Sequence, residues 1–151
     1  MSNDSKCDDF TPPGIGEIAK FLPSYEVVAF IAKGGMGAVY MARQKSLDRE
    51  VAIKILPSHF VMDADFRARF EAEAKSMAKL NHPNVISVYD FGQCNDQLFI
   101  VMEMVKGKSL YHSACGKKID SQQSALIIRD ICLGLAHAHE QGILHRDLKP
   151  A

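Results

Sequence analysis

The sequence has no excess charge of either sign, no paired cysteine motif and no long apolar run. Its 151 residues carry 18 basic and 18 acidic side chains, so composition predicts no attraction to nucleic acid or to an anionic membrane. The four cysteines (Cys7, Cys94, Cys115 and Cys132) form no C-x-x-C pair, which disfavours a zinc site or a disulfide framework. No run is long enough to span a bilayer, and the acidic, polar start is unlike a signal peptide. We therefore expect a cytoplasmic protein, with no membrane span and no metal site in this chain.

The apolar pattern indicates an α+β fold, because strands come first and helices follow without regular alternation. The length suits one domain with a substantial core. Residues 1–24 are interpreted as an N-terminal tail that contains a short helix before Pro23. Predicted strands occupy 24–44 as a hairpin, then 49–56, 85–92 and 97–105. Predicted helices occupy about 63–80 and 121–141, and Gly142 is the expected C-cap of the second.

The sequence KGGMG, at residues 33–37, lies between two predicted strands. Glycine reaches positive φ without a steric penalty, so a plain flexible hairpin explains this run. No G-x-x-x-x-G-K-[ST] is present, which excludes a P-loop, and the strand that follows is unlike the helix of a dinucleotide-binding fingerprint. A hairpin whose backbone closes over phosphates is the second interpretation, and the run alone does not decide between the two.

An acidic residue lies on the apolar stripe of the first long helix. The stripe passes through Glu73 and otherwise consists of Phe66, Phe70, Met77 and Leu80. A buried carboxylate is costly unless it finds a cation, and Lys54, on an apolar strand, is the candidate partner. The alternatives are a Glu73 at the solvent edge of the stripe and a Lys54 on the outer face of the sheet. Together, and downstream of a Gly-rich hairpin, the two residues favour a Lys–Glu pair beside a phosphate site.

These segments, in this order, resemble the protein kinase family. IAKGGMGAVY at 31–40 resembles the Gly-rich loop, VAIK at 51–54 the strand with the ATP lysine, and HRDLKP at 145–150 the catalytic loop. The wording GGMGAVY, with HPN and VYDFG, is similar to the eukaryotic-like serine/threonine kinases of bacteria. The resemblance covers about 25–151 and implies a small lobe with hinge over 25–105, followed by the start of a large lobe over 106–151.

The resemblance also implies a role for each matching residue. Lys54 would contact the α- and β-phosphates of ATP, and Glu73 would hold Lys54 in place. Met102 resembles the residue that gates the back pocket, and the backbone after it would bond the adenine edge. The implied ATP-binding residues are Ile31, Ala32, Lys33, Gly34, Gly35, Met36, Gly37, Val39, Ala52, Lys54, Met102, Glu103, Met104 and Val105.

In the part that resembles the catalytic loop, Asp147 would be the base that accepts the proton of the substrate hydroxyl. Lys149 would steady the γ-phosphate, and it distinguishes the serine/threonine pattern from the tyrosine pattern. Arg146 would be regulatory, because an Arg in this place commonly pairs with a phosphate on the activation loop. One departure is Ala32, which stands where the family has its first glycine, and we expect a stiffer loop and weaker nucleotide binding from it.

The resemblance breaks off inside the catalytic loop. The Asn and the D-F-G Asp that hold Mg²⁺ in the family would both follow Ala151, and the letters DFG at 90–92 precede the catalytic loop and are not that motif. We therefore expect the N-terminal part of a protein kinase that is inactive by itself and self-associates through exposed large-lobe surface.

The expected reaction is transfer of the γ-phosphate of ATP to Ser and Thr hydroxyls of protein substrates. A non-catalytic nucleotide-binding or interaction module, resembling a pseudokinase, is the alternative, although such a module has no need of a base at Asp147. A small-molecule kinase of the same fold is a third interpretation, which the DLKP sequence disfavours.

Overall fold

A computed structural model describes residues 10–34, 37–114, 118–146 and 148. The elements are α1 (Ile15–Phe21), β1 (Tyr25–Gly34), β2 (Gly37–Gln44), β3 (Arg49–Ile55), α2 (His59–Met62), α3 (Ala64–Met77), β4 (Val88–Cys94), β5 (Gln97–Glu103), α4 (Leu110–Ala114) and α5 (Ser121–Glu140). The strands form one antiparallel sheet in the order β1-β2-β3-β5-β4. The α+β prediction is confirmed, and each predicted strand and long helix is present within a few residues of its expected bounds.

One face of the sheet is covered by α1. The buried side chains Val51, Ile53 and Ile55 alternate along β3 onto this face, as the sequence pattern predicts. Ile18 and Leu22 pack against them from the N-terminal segment. The short helix expected before Pro23 is present as α1, and its apolar side is buried in the core.

The other face of the sheet is covered by α2 and α3. Its buried cluster consists of Leu56, Val61, Phe70 and Leu98, with further aromatic side chains around it. The carboxylate of Asp63 accepts hydrogen bonds from the backbone N–H groups of Asp65 and Phe66, so an acidic N-cap starts α3. This cluster fixes α3 on the same side of the sheet as Lys54, whose position on β3 alternates with those of Ile53 and Ile55.

The loop between α3 and β4 packs on α5. The side-chain amide of Asn84 donates to the carbonyl of Asp130 (2.8 Å), and the His82 and His137 rings stack with centroids 5.3 Å apart. Gly134 makes this approach possible, since an added Cβ would lie 2.9 Å from the Asn84 carbonyl oxygen. The loop therefore joins α5 to the sheet and α3.

The ends of α5 follow its sequence. Asp120 caps the first turn by accepting from two backbone N–H groups, and Gly142 ends the helix with φ +75°. The N–H of Ile143 bonds to the carbonyl of Ala138, which completes the C-terminal cap and directs the chain into residues 143–146. In the described part of the chain, no helix combines the length and the apolarity that crossing a membrane needs.

Candidate active site

The strand register places several predicted ATP-binding residues on one face of the sheet. Residues paired across antiparallel strands share a face, and the register pairs Val39 with Lys54 and Ala52 with Met102. Ala32 pairs with Val39 and joins them at the edge of the sheet. A lysine amine, three small or branched apolar side chains and a methionine therefore lie together on the face that also carries α3, opposite α1.

Lys54 is only half-buried, yet its surroundings are largely apolar. Burial lowers the pKa of its amine from the usual value of 10.5, because the charged form loses part of its hydration. No described carboxylate lies within the 4.0 Å ion-pair distance of this amine. The amine is thus a partly desolvated cation without a described protein counterion.

The prediction that Glu73 lies on the buried face of its helix is wrong. Glu73 is exposed, and the buried residues of α3 are Phe70 and Ala74. The packed face is centred between those two residues, so Glu73 falls at its edge, where water hydrates the carboxylate. This was the alternative that the sequence left open. No ion pair joins the described side chains of Glu73 and Lys54 in this structure, and their pairing stays a prediction.

Of the two hairpin glycines that the structure describes, one is required by the backbone. Gly37 has φ +125°, and a Cβ added there would lie 2.1 Å from the carbonyl oxygen of Ile55 on the neighbouring strand. Gly34 pairs with Gly37, and a Cβ on Gly34 would meet nothing within 4 Å. Ile31 and Lys33 are exposed on β1. Gly35 and Met36, also predicted to cover phosphates, lie outside the described residues.

The predicted hinge begins where β5 ends. The backbone N–H of Glu103 donates to the carbonyl of Ser87 (2.9 Å), and the Glu103 carboxylate accepts from the Ser87 N–H (3.3 Å). Met104 is half-buried and Val105 is exposed. An ion pair between Lys106 and Glu50 ties the next residue to β3. The sequence analysis did not predict the hydrogen bond of the Glu103 carboxylate or this ion pair, because neither contact produces a periodic pattern in the sequence.

The predicted catalytic loop is described only in part. Arg146 is exposed and has φ +61°, a backbone conformation that non-glycine residues seldom adopt and that is concentrated at functional sites. Asp147 and Lys149 lie outside the described residues. The strained residue comes directly before Asp147 in the sequence, where the resemblance puts the catalytic base.

Comparisons with known proteins agree with this arrangement. The family model described as "Protein kinase domain" matches residues 25–151. Serine/threonine-protein kinase PrkC of Bacillus subtilis is 44% identical over 128 residues, which are 83% of this chain and 20% of that protein. Serine/threonine-protein kinase pkn3 of Myxococcus xanthus is 45% identical over 129 residues, which are 83% of this chain and 23% of that protein. The chain thus spans about a fifth of the length of the curated relatives it matches.

A solved structure shares the fold. The PknI kinase domain of Mycobacterium tuberculosis superimposes with a TM-score of 0.75 at 30% sequence identity, over 85% of this chain and 53% of that chain. The expected fold, a kinase small lobe followed by the first helical part of a large lobe, is confirmed by this match.

Proposed function

Because this chain belongs to the protein kinase domain family, we propose that the protein transfers the γ-phosphate of ATP to Ser and Thr hydroxyls of protein substrates. The observation that carries the proposal is the partly desolvated amine of Lys54, which has no counterion among the described residues, on a sheet face with Val39, Ala52 and Met102. A desolvated cation is stabilised by an anion, and the phosphates of ATP are anions of suitable reach. The apolar neighbours suit the flat adenine ring.

Each site residue then has a distinct task. Lys54 binds the α- and β-phosphates, and Glu73 pairs with Lys54 once α3 moves its exposed edge toward the sheet. The hinge bonds the adenine edge through main-chain groups at Glu103, Met104 and Val105. The Glu103 N–H is already committed to Ser87, so its carbonyl is the group we assign to adenine.

Proton transfer falls to Asp147 and stabilisation of the γ-phosphate to Lys149, with Arg146 as the regulatory phosphate-binding residue. Kinases of this family use ATP together with Mg²⁺. Within 10–34, 37–114, 118–146 and 148, however, no group of three or more His, Cys, Asp and Glu side chains is placed to hold a metal ion. In the family these ligands are an Asn and the D-F-G Asp that come after the catalytic-loop Asp. The nucleotide pool of the cytoplasm is the proposed source of ATP.

A polypeptide of these 151 residues alone is expected to transfer no phosphate and to self-associate. Leu126, Ile128 and Leu133 are large apolar side chains exposed on α5. Each fully buried side chain of this type contributes roughly 1.5–3 kcal/mol, so a surface of this kind favours association. Sedimentation of that polypeptide at several concentrations tests the expectation.

The test of function uses the full-length protein with ATP labelled on the γ-phosphate and mixed protein substrates. Asp147→Asn should bind ATP nearly normally but transfer phosphate about 10²–10⁴-fold more slowly, because a general base contributes that much. Asp96→Asn is the matched control, since Asp96 is exposed in the β4–β5 turn with φ +55°, which Asn accepts. Label on phosphoserine and phosphothreonine supports the proposal. ATP binding with no transfer by the unaltered protein would favour the non-catalytic module instead.

A further inference from the structure

A hydrogen bond ties the nucleotide hairpin to the segment that precedes the family domain. The Tyr40 hydroxyl on β2 donates to the Pro13 carbonyl at 2.7 Å. We propose that residues 10–24 form a brace that holds the β1–β2 hairpin in position for ATP, and that Tyr40 is the positioning residue that connects the two. The inference rests on the proposed function and extends it to residues outside the matched domain, 25–151.

The brace is firmly seated on the sheet. Ile18 has an exposed fraction of 0% and lies in the same buried cluster as Tyr40 and Ile53. Phe10, which precedes α1, and Phe21, the last residue of α1, also pack against that cluster. Burial of Ile18 and Leu22 in this cluster therefore holds the segment on the sheet.

Hydrogen bonds fix the far end of the brace to three other parts of the sheet. The Tyr25 N–H donates to the Leu22 carbonyl (3.0 Å) and the Lys45 amine to the Pro23 carbonyl (2.9 Å). The Cys94 thiol donates to the Phe21 carbonyl oxygen (3.1 Å). One end of the brace is therefore anchored at the β2–β3 turn and β4, and the other end reaches β2 at Tyr40.

Tyr40 is well placed to transmit a displacement to the nucleotide. It adjoins Val39, whose side chain lies on the opposite, nucleotide-binding face, and it pairs with Phe30 on β1. The Phe30 and Tyr40 rings meet edge to face with centroids 5.5 Å apart. Burial, and then the Glu17 carboxylate on α1, raise the pKa of Tyr40, so the hydroxyl stays a donor to the brace at all physiological pH values.

The test compares two tyrosines of the same core in the full-length protein. Tyr40→Phe keeps the ring and removes only the bond to Pro13. Tyr25→Phe is the control: Tyr25 is buried in the same cluster, and its hydroxyl bonds to Asp90 (3.3 Å), but it lies at the far end of β1 from the glycines. For Tyr40→Phe we expect the KM for ATP to rise about two- to tenfold with kcat little changed, the range set by one hydrogen bond. Tyr25→Phe should leave both constants unchanged.

A second pair tests the brace from its own side. Ile18→Ala should raise the KM for ATP as Tyr40→Phe does, whereas Ile15→Ala, at a residue 40% exposed on the same helix, should not. Equal KM values for Tyr40→Phe and the unaltered protein would overturn the inference, as would equal effects of the two tyrosine substitutions. An unaltered protein that neither binds ATP nor phosphorylates protein would instead refute the proposed function, so the two failures are distinct.

Discussion

Replacing Gly37 by alanine probes the close approach of the hairpin to β3. Gly37 has φ +125°, and the new Cβ would lie 2.1 Å from the Ile55 carbonyl oxygen and 3.0 Å from its carbon. A side chain held in such a backbone region costs about 1–3 kcal/mol, before any cost of moving β3. In domains of 150–250 residues that loss lowers the unfolding midpoint by about 2–12 °C. Relaxation would move the backbone next to Lys54, so nucleotide affinity should fall as well.

Gly34→Ala is the matched control on the opposite strand of the hairpin. A Cβ at Gly34 meets nothing within 4 Å and no positive φ is required there, so stability should stay within about 1 kcal/mol of the unaltered protein. Thermal unfolding of both variants without nucleotide, and titration with ATP, give the comparison. Equal unfolding midpoints for Gly37→Ala and Gly34→Ala would refute the reasoning, because they would mean that the backbone at Gly37 is not constrained by Ile55.

Three further predictions concern the amine, the loop that packs on α5, and the departure from the family pattern. Burial lowers the pKa of Lys54, so the unfolded chain binds more protons than the folded one between that lowered pKa and 10.5, and stability rises with pH in this window. In a pH series of unfolding midpoints, Lys54→Met should abolish that rise in stability without lowering the midpoint near neutrality. The same substitution should lower phosphotransfer by orders of magnitude, and retained transfer would contradict the role assigned to Lys54. Gly134→Ala should destabilise the protein by about 1–3 kcal/mol, because the new Cβ would lie 2.9 Å from the Asn84 carbonyl oxygen. Gly107→Ala is the control, since a Cβ there meets nothing within 4 Å. Equal denaturant midpoints for the two variants would contradict this prediction. Ala32→Gly should tighten ATP binding in calorimetry by loosening the hairpin, and unchanged or weaker binding would speak against the expected role of Ala32.

Local patterns predicted the sheet well. The alternation of Val51, Ile53 and Ile55 with Ala52 and Lys54 assigned both faces of β3, because side-chain direction in a strand has a strict period of two. The helix cap at Gly142 was also predicted from the sequence, because a C-terminal cap of this kind needs a residue that tolerates positive φ.

Long-range packing limited the rest. Helical spacing placed Glu73 on the predicted apolar stripe of α3. The buried face of the helix is narrower and is centred near Phe70 and Ala74, and only the packed structure defines that centre. The N-terminal helix was predicted, yet its burial depends on a sheet face formed by residues far along the chain. The hydrogen bond between Tyr40 and Pro13 spans 27 positions and leaves no mark in local periodicity.

The central claim is that the face carrying Lys54 binds the phosphates of ATP. An acyl-phosphate derivative of ATP would deliver its acyl group to whichever amine lies beside those phosphates, and mass spectrometry of the full-length protein locates the labelled lysine. We expect labelling of Lys54, favoured by the lowered pKa of its amine, and protection by excess ATP but not by an equal concentration of adenine. Labelling spread over exposed lysines such as Lys75 and Lys106, with no protection of Lys54 by ATP, would contradict the account.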